Sequence, residues 1–311
     1  LLGLGCLVAA TLWLLRPDTS PVAEAPRAEV SAPATATPVA TEAATPSPEP
    51  TPTPTLVPTA TPTPVAQRAA LSEPSEAPEV TASSPPEVRV GTGRPRLAII
   101  IDDCGQWPRT EHGFVELPFP VTLSVLPHVR YGPEIAKQAA SAGKGVMLHL
   151  PMQTISGMYP GPGTITVSMP DAMIQSEVAS DLAELPEARG VNNHEGSRAT
   201  ADRRVMSDVA DVLARENRFW IDSRTSAASV AASVTRERGV PTASRDVFLD
   251  DVDSEAAVIG QLHEAAARAR ANGSAIAIGH PRPATLAAVK LLAPQLMANG
   301  IDLTLASDLV H

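Results

Sequence analysis

The chain has 311 residues, a formal net charge of −10, 32 prolines and two cysteines. That length would accommodate two domains, but a long Pro-rich stretch withdraws much of it from folding, and an acidic balance with no basic stripe argues against a nucleic-acid partner. Cys104 is the only cysteine after residue 95, which excludes a disulfide within the part that folds.

The run Leu1–Leu15 is almost wholly apolar and closes on Arg16 and Pro17. Its first residue is not Met, so the run is expected to continue a longer hydrophobic segment. About 20 apolar residues span a bilayer, and no Ala-x-Ala-like site follows Leu15. An uncleaved membrane anchor is therefore expected, with a cleaved signal peptide as the alternative. Residues 17–95 are dominated by Pro, Ala, Thr, Ser, Val and Glu, with a Pro-Glu-Pro-Thr-Pro-Thr-Pro-Thr run at 48–55. Such a composition buries too little surface to offset its ordering entropy, and a disordered Pro/Thr/Ala-rich tether is expected. At about 3.1 Å per extended residue it would reach on the order of 200 Å. Together these segments predict a protein held at the inner membrane with its folded part in the periplasm, or one secreted across the cytoplasmic membrane.

Residues 96–311 read as one domain of alternating strands and helices. Leu97–Ile101 is a short strand of apolar, mostly β-branched residues, and Val121–Leu126 a second strand, followed by a helix over 132–142. Gly145–Leu150 is a third strand, and residues 151–170 a Gly- and Pro-rich loop. Asp171 is expected to cap a helix running to about Leu185. Strands at 190–193, 219–221, 246–249, 275–278 and 301–305 alternate with helices over 201–216, 227–238, 254–271 and 283–298. Seven or eight such units in this length predict an α/β fold, a distorted (β/α) barrel. An open doubly wound sheet is the alternative, but no Gly-x-Gly-x-x-Gly follows the first strand.

The strand ends carry the chemistry. A dry core cannot hold adjacent, unpaired carboxylates cheaply, so Asp102 and Asp103 are expected just past the first strand, at the rim of the fold. There one could hold a cation while the other handles a proton. Further strands end in His149, in Asn192-Asn193-His194, in Asp222, in Asp250-Asp251 and in His280. In a barrel these ends meet on one face. His128 also follows a strand and is treated as a possible substrate contact, while His112 is placed in a loop and His263 within a helix.

These residues resemble the divergent polysaccharide deacetylase family, a distant branch of the polysaccharide deacetylases. The carriers are Ile-Asp-Asp-Cys-Gly at 101–105, Leu-His-Leu-Pro-Met-Gln at 148–153, Gly-Val-Asn-Asn-His-Glu-Gly-Ser-Arg at 190–198, Phe-Trp-Ile-Asp-Ser-Arg-Thr at 219–225 and Ile-Gly-His-Pro-Arg-Pro at 278–283. The resemblance implies Asp102 as general base, Asp103 and His149 as ligands of a divalent metal, zinc foremost, and His280 as the acid that protonates the leaving amine. Where the wider family has a second imidazole, this chain has Gln153. His194 is expected to supply the missing nitrogen from the neighbouring strand. Asn193, Gln153, Arg198, Asp222, Arg224, Asp250 and His128 are expected to orient these groups or touch substrate. The implied activity is metal-dependent removal of acetyl groups from an extracytoplasmic glycan such as peptidoglycan. The alternative, favoured by Gln153, is an inactive glycan-binding or scaffold protein that retains the barrel.

Overall fold

A computed structural model describes residues 93–311; the expected anchor and nearly all of the expected tether lie outside them. Among the described residues, no helix is long and apolar enough to cross a membrane. The β-branched run becomes strand β1 (Arg96–Cys104), followed by α1 (Pro108–Val115), β2 (Thr122–Val125), α2 (Gly132–Ser141), β3 (Gly145–Met152) and α3 (Asp171–Glu184). The second half adds β4 (Gly190–Glu195), α4 (Arg203–Arg215), β5 (Phe219–Asp222), α5 (Ala231–Glu237), β6 (Thr242–Ser244), β7 (Val247–Phe248), α6 (Glu255–Asn272), β8 (Ser274–Gly279), α7 (Pro283–Ala298) and β9 (Asp302–Thr304).

All strand pairs are parallel, in the order β6-β5-β4-β3-β2-β1-β8-β7, with β9 added beside the start of β1. The sheet curls as a barrel does, but no ladder joins β6 to β7 among the described residues. Its two edges are instead successive pieces of one chain, separated only by Arg245 and Asp246. The Arg245 N–H donates to the Asp222 carbonyl on one side, and the Asp246 N–H to the Ile276 carbonyl on the other, both at 2.9 Å. The barrel is thus closed by covalent chain where pairing stops.

Side-chain alternation along the strands sorts the core into two layers. Leu97, Ile99 and Ile101 pack outward with helix residues such as Phe114, Ile135, Val209 and Leu262. Ala98 and Ile100 turn inward with Met147, Ile221, Ile276 and Ile278, where Ala306 and Leu309 of the C-terminal segment join them. Because β9 pairs with the first residues of β1, that segment fills the amino end of the barrel. The carboxyl end is left for chemistry.

Three local expectations are corrected. Asp102 and Asp103 lie within β1 rather than beyond it. Between Ile101 and Cys104 the register advances three residues on β1 against two on β2, from Leu123 to Val125. This is a β-bulge, with Asp103 at φ 58°, and it breaks the alternation that would send neighbouring carboxylates to opposite faces. Secondly, residues 108–115, including His112, form a helix. Its start is organised by the buried Glu111, whose Oε1 accepts the Gly105, Gln106 and Trp107 N–H groups at 2.9, 3.0 and 2.8 Å. Gly105 sits at φ 106°, and a Cβ there would meet Val129 Cγ2 at 2.5 Å. Thirdly, Asp171 does not cap α3: Pro170 holds that position, and the Asp171 carboxylate pairs with Arg204 at 2.6 Å.

Candidate active site

The bulge on β1, the ends of β3 and β4, and the turn after β8 bring five side chains together. Asp103 Oδ1 lies 3.2 Å from His149 Nε2 and 2.9 Å from His194 Nδ1. The two imidazole nitrogens are 3.1 Å apart. His149 stands opposite Asn192 in the β3–β4 register and His194 opposite Pro151, so the rings sit one pleat apart on the same inward face. His280 Nε2 approaches Asp103 Oδ2 at 3.8 Å, and Asp102 Oδ2 lies 3.6 Å from His149 Nε2.

The tautomer of His149 follows from its surroundings. An ionised carboxylate can only accept, so it is the Asn192 amide nitrogen that donates to Asp102 Oδ1, at 2.8 Å. The same nitrogen donates to Ser223 Oγ at 3.1 Å. Asn192 Oδ1 then accepts from the Ser124 hydroxyl and from His149 Nδ1–H, the latter at 2.9 Å. The lone pair of neutral His149 is thereby left on Nε2, facing Asp103 and His194. Asn192 is fully buried and was not among the expected site residues. Strand parity carries the signal for it, since residues 192 and 194 share a face while 193 takes the other. Removing such a partner of a metal-ligating imidazole costs about 10–100-fold in metal affinity, so Asn192→Ala should weaken zinc binding by that factor, measured by competition with a chelating dye.

These atoms fit a divalent cation. Asp103 Oδ1 is buried and receives no well-aligned hydrogen bond. It, His149 Nε2 and His194 Nδ1 all lie within 4.8 Å of one another. Their separations approach the edge, about 3.3 Å, of a tetrahedron with zinc-like bonds of about 2.0–2.1 Å. Burial would raise the Asp103 carboxyl, but the two imidazoles outweigh it and hold the group well below the usual carboxylate range. Burial would lower His149, yet the Asp102 and Asp103 charges carry it up to about 9. A proton and a metal ion answer the same electrostatic demand, so a metal ion bound here would compete with a proton.

Asp102 and His280 differ in kind. Burial pushes the Asp102 carboxyl up, against the pull of His149, as suits a group that must accept a proton near neutrality. His280 is oriented by Asp250, whose Oδ1 meets His280 Nδ1 at 2.9 Å and whose Oδ2 accepts the His280 and Thr285 donors, each at 2.7 Å. Burial would lower His280, but Asp250 and Asp103 more than offset it and raise it.

Other expected residues lie elsewhere. Gln153 Oε1 accepts the Val167 N–H at 2.9 Å and so pins the long loop back on β3. Asp222 faces away from the ligand group; it accepts from Arg224 N–H and the Ser229 hydroxyl, at 2.8 and 2.9 Å, while the next residue, Ser223, reaches Asn192. Asn193 ties β4 to the turn after β5 through Ser223 N–H and Thr225. The Arg198 side chain is exposed; its backbone N–H donates to the Gln153 carbonyl and its carbonyl accepts from Ala201 N–H. His128 is not brought into this group; it stands among Glu177, Asp181 and Glu184 of α3.

A trough of about 670 Å³ opens over the site, lined by Asp102, Asp103, His149, His194, Arg224 and His280 among others. Asp103, Glu195 and Arg224 on its wall all hold positive φ, at 58°, 55° and 53°, a backbone strain typical of functional sites. A second groove, about 430 Å³, shares Asp103 and His280 with it and is walled by Trp107, whose surface is half exposed. Trp107 was not anticipated; it lies in the turn between the bulge and α1.

The sequence profile of divergent polysaccharide deacetylases matches residues 99–310. An uncharacterized protein of Haemophilus influenzae is 36% identical over 195 residues, covering 63% of this chain and 70% of the relative. The Escherichia coli protein YibQ is 36% identical over 216 residues, covering 70% and 67%. In three dimensions the chain is similar to an uncharacterized protein from Agrobacterium tumefaciens C58, with a TM-score of 0.68 at 24% identity over 71% of this chain and 91% of that one. With a curled parallel barrel, a bulged Asp-Asp pair and two strand-end imidazoles already in place, the matched span settles the kinship: the chain belongs to the divergent polysaccharide deacetylase family.

Proposed function

We propose that this protein is a metal-dependent hydrolase that removes acetyl groups from a glycan outside the cytoplasmic membrane, such as peptidoglycan. The observation that carries the reading is the convergence of Asp103, His149 and His194 between a buried carboxylate, Asp102, and a carboxylate-oriented imidazole, His280. Zinc held by Asp103, His149 and His194 would supply Lewis acidity toward the acetyl carbonyl and acidify a water. Asp102 takes the proton of that water as its oxygen bonds to the acetyl carbon. His280 delivers a proton to the sugar nitrogen as the C–N bond breaks, leaving acetic acid and a free amine. Gln153, the feature behind the inactive-binder reading, is engaged by Val167, and His194 stands in the ligand group instead.

The trough and the Trp107 groove meet at Asp103 and His280, which suits a polymer running across the site with sugars on both sides. Trp107 offers an aromatic face to one of them. Trp107→Ala should raise KM several-fold, for a loss of about 1 kcal/mol of binding, with kcat nearly unchanged on an oligomeric substrate. The apolar run Leu1–Leu15 and the Pro-rich stretch after it support inner-membrane anchoring with the site in the periplasm.

The test is acetate release from acetylated chitooligosaccharides and muropeptides, with and without a chelator. Release that is lost on chelation and restored by zinc supports the reading. Zinc retention with no release from any acetylated glycan would favour the glycan-binding protein.

A further inference from the structure

His128 stands at the centre of a second charged cluster. Its Nδ1 lies 3.0 Å from Glu184 Oε2, and its backbone N–H donates to Glu184 Oε1 at 3.0 Å. Its Nε2 lies 2.9 Å from Asp181 Oδ1 and 3.7 Å from Glu177 Oε1. Three carboxylates thus surround one imidazole, and among the described residues no lysine or arginine pairs with any of them. Asp181 has no exposed surface, and neither of its oxygens receives a well-aligned hydrogen bond. Burial pushes its carboxyl up against the pull of His128, with Glu177 and Glu184 adding to the rise.

Glu184 decides what the imidazole can offer. With Nδ1–H given to that carboxylate, the lone pair of Nε2 is turned toward Asp181 and Glu177, which once ionised can only accept. This is the carboxylate–histidine arrangement that prepares an imidazole for a metal. The backbone is held for it as well, because His128 adopts φ 58°, a costly conformation for a residue with a side chain. The long loop lies over the cluster: a Cβ at Gly163 would stand 3.0 Å from His128 Nε2 and 3.1 Å from Glu177 Oε1. A side chain there would press on both groups, and Gly163 itself holds φ 72°.

We propose that His128, Glu177 and Asp181 form a second divalent-cation site, with Glu184 as positioning residue, separate from the catalytic group. One imidazole and two carboxylates suit zinc or a similar first-row ion. A cation there would tie the turn after β2 to helix α3, beneath the loop that passes at Gly163. Its role is structural, and it does not depend on the catalytic reading.

The test is zinc content per chain after equilibration with zinc and removal of excess, by atomic emission on the full chain. The unaltered protein should retain two equivalents, Asp181→Asn one, His149→Ala one, and the double variant none. Should the catalytic group bind no metal, the unaltered protein retains one and Asp181→Asn none, so the two claims fail separately. Glu184→Gln should weaken the second site by about 10–100-fold. If Asp181→Asn does not fold, Glu177→Gln replaces it, with at least tenfold weaker binding expected. Equal zinc content and affinity in the unaltered chain and in these variants would overturn the proposal.

Discussion

Replacing His280 by alanine should lower acetate release by about 10²–10⁴-fold, the usual worth of a positioned general acid, while zinc content stays unchanged. The expectation rests on its place at the rim of the ligand group, 3.8 Å from Asp103 and fixed from behind by Asp250. Asp250 also sets when the acid is available. Its carboxylate helps raise His280 above the ordinary imidazole range, so Asp250→Asn should lower the His280 pKa. The protonated form then disappears at a lower pH, and the alkaline limb of the kcat profile should move in that direction. A merely structural role for Asp250 would lower activity at every pH without displacing the limb.

Asp103→Ala should lower zinc affinity at the catalytic group beyond the roughly 100-fold attached to an outer partner such as Asn192, and acetate release should fall to background. The fold should survive, since the Asp103 side chain is 21% exposed at the rim of the trough and its Oδ1 makes no well-aligned hydrogen bond. Circular dichroism and the urea midpoint check that second half. A folded variant with undiminished zinc at this group would place the metal elsewhere.

Much of the barrel was legible because its strands are short apolar runs that stop abruptly on polar residues. Leu97–Ile101 and Gly145–Leu150 could hardly be anything else, although β1 and β3 continue to Cys104 and Met152. Helix α1 was not legible: Pro-Arg-Thr-Glu-His-Gly-Phe-Val has no apolar period, and the helix is secured by Glu111 reaching back to three N–H groups. Strand β6 is three residues long, too short to register as a pattern. Within the site, residue type at strand ends located Asp103, His149, His194 and His280. It could not tell His128 from them, because the carboxylates that claim His128 come from a helix about 50 residues further on. Nor could it choose Asn192 over Asn193, or see that a bulge would turn Asp102 and Asp103 toward one pocket. Those outcomes depend on pleat and register across strands.

On the proposed reading, Asp103, His149 and His194 hold one divalent ion. Anomalous diffraction from crystals grown with zinc, recorded on either side of the zinc absorption edge, measures it directly. An edge-dependent peak is expected about 2.0–2.2 Å from Asp103 Oδ1, His149 Nε2 and His194 Nδ1. Ordered side chains at these three positions with no such peak among them would contradict that reading.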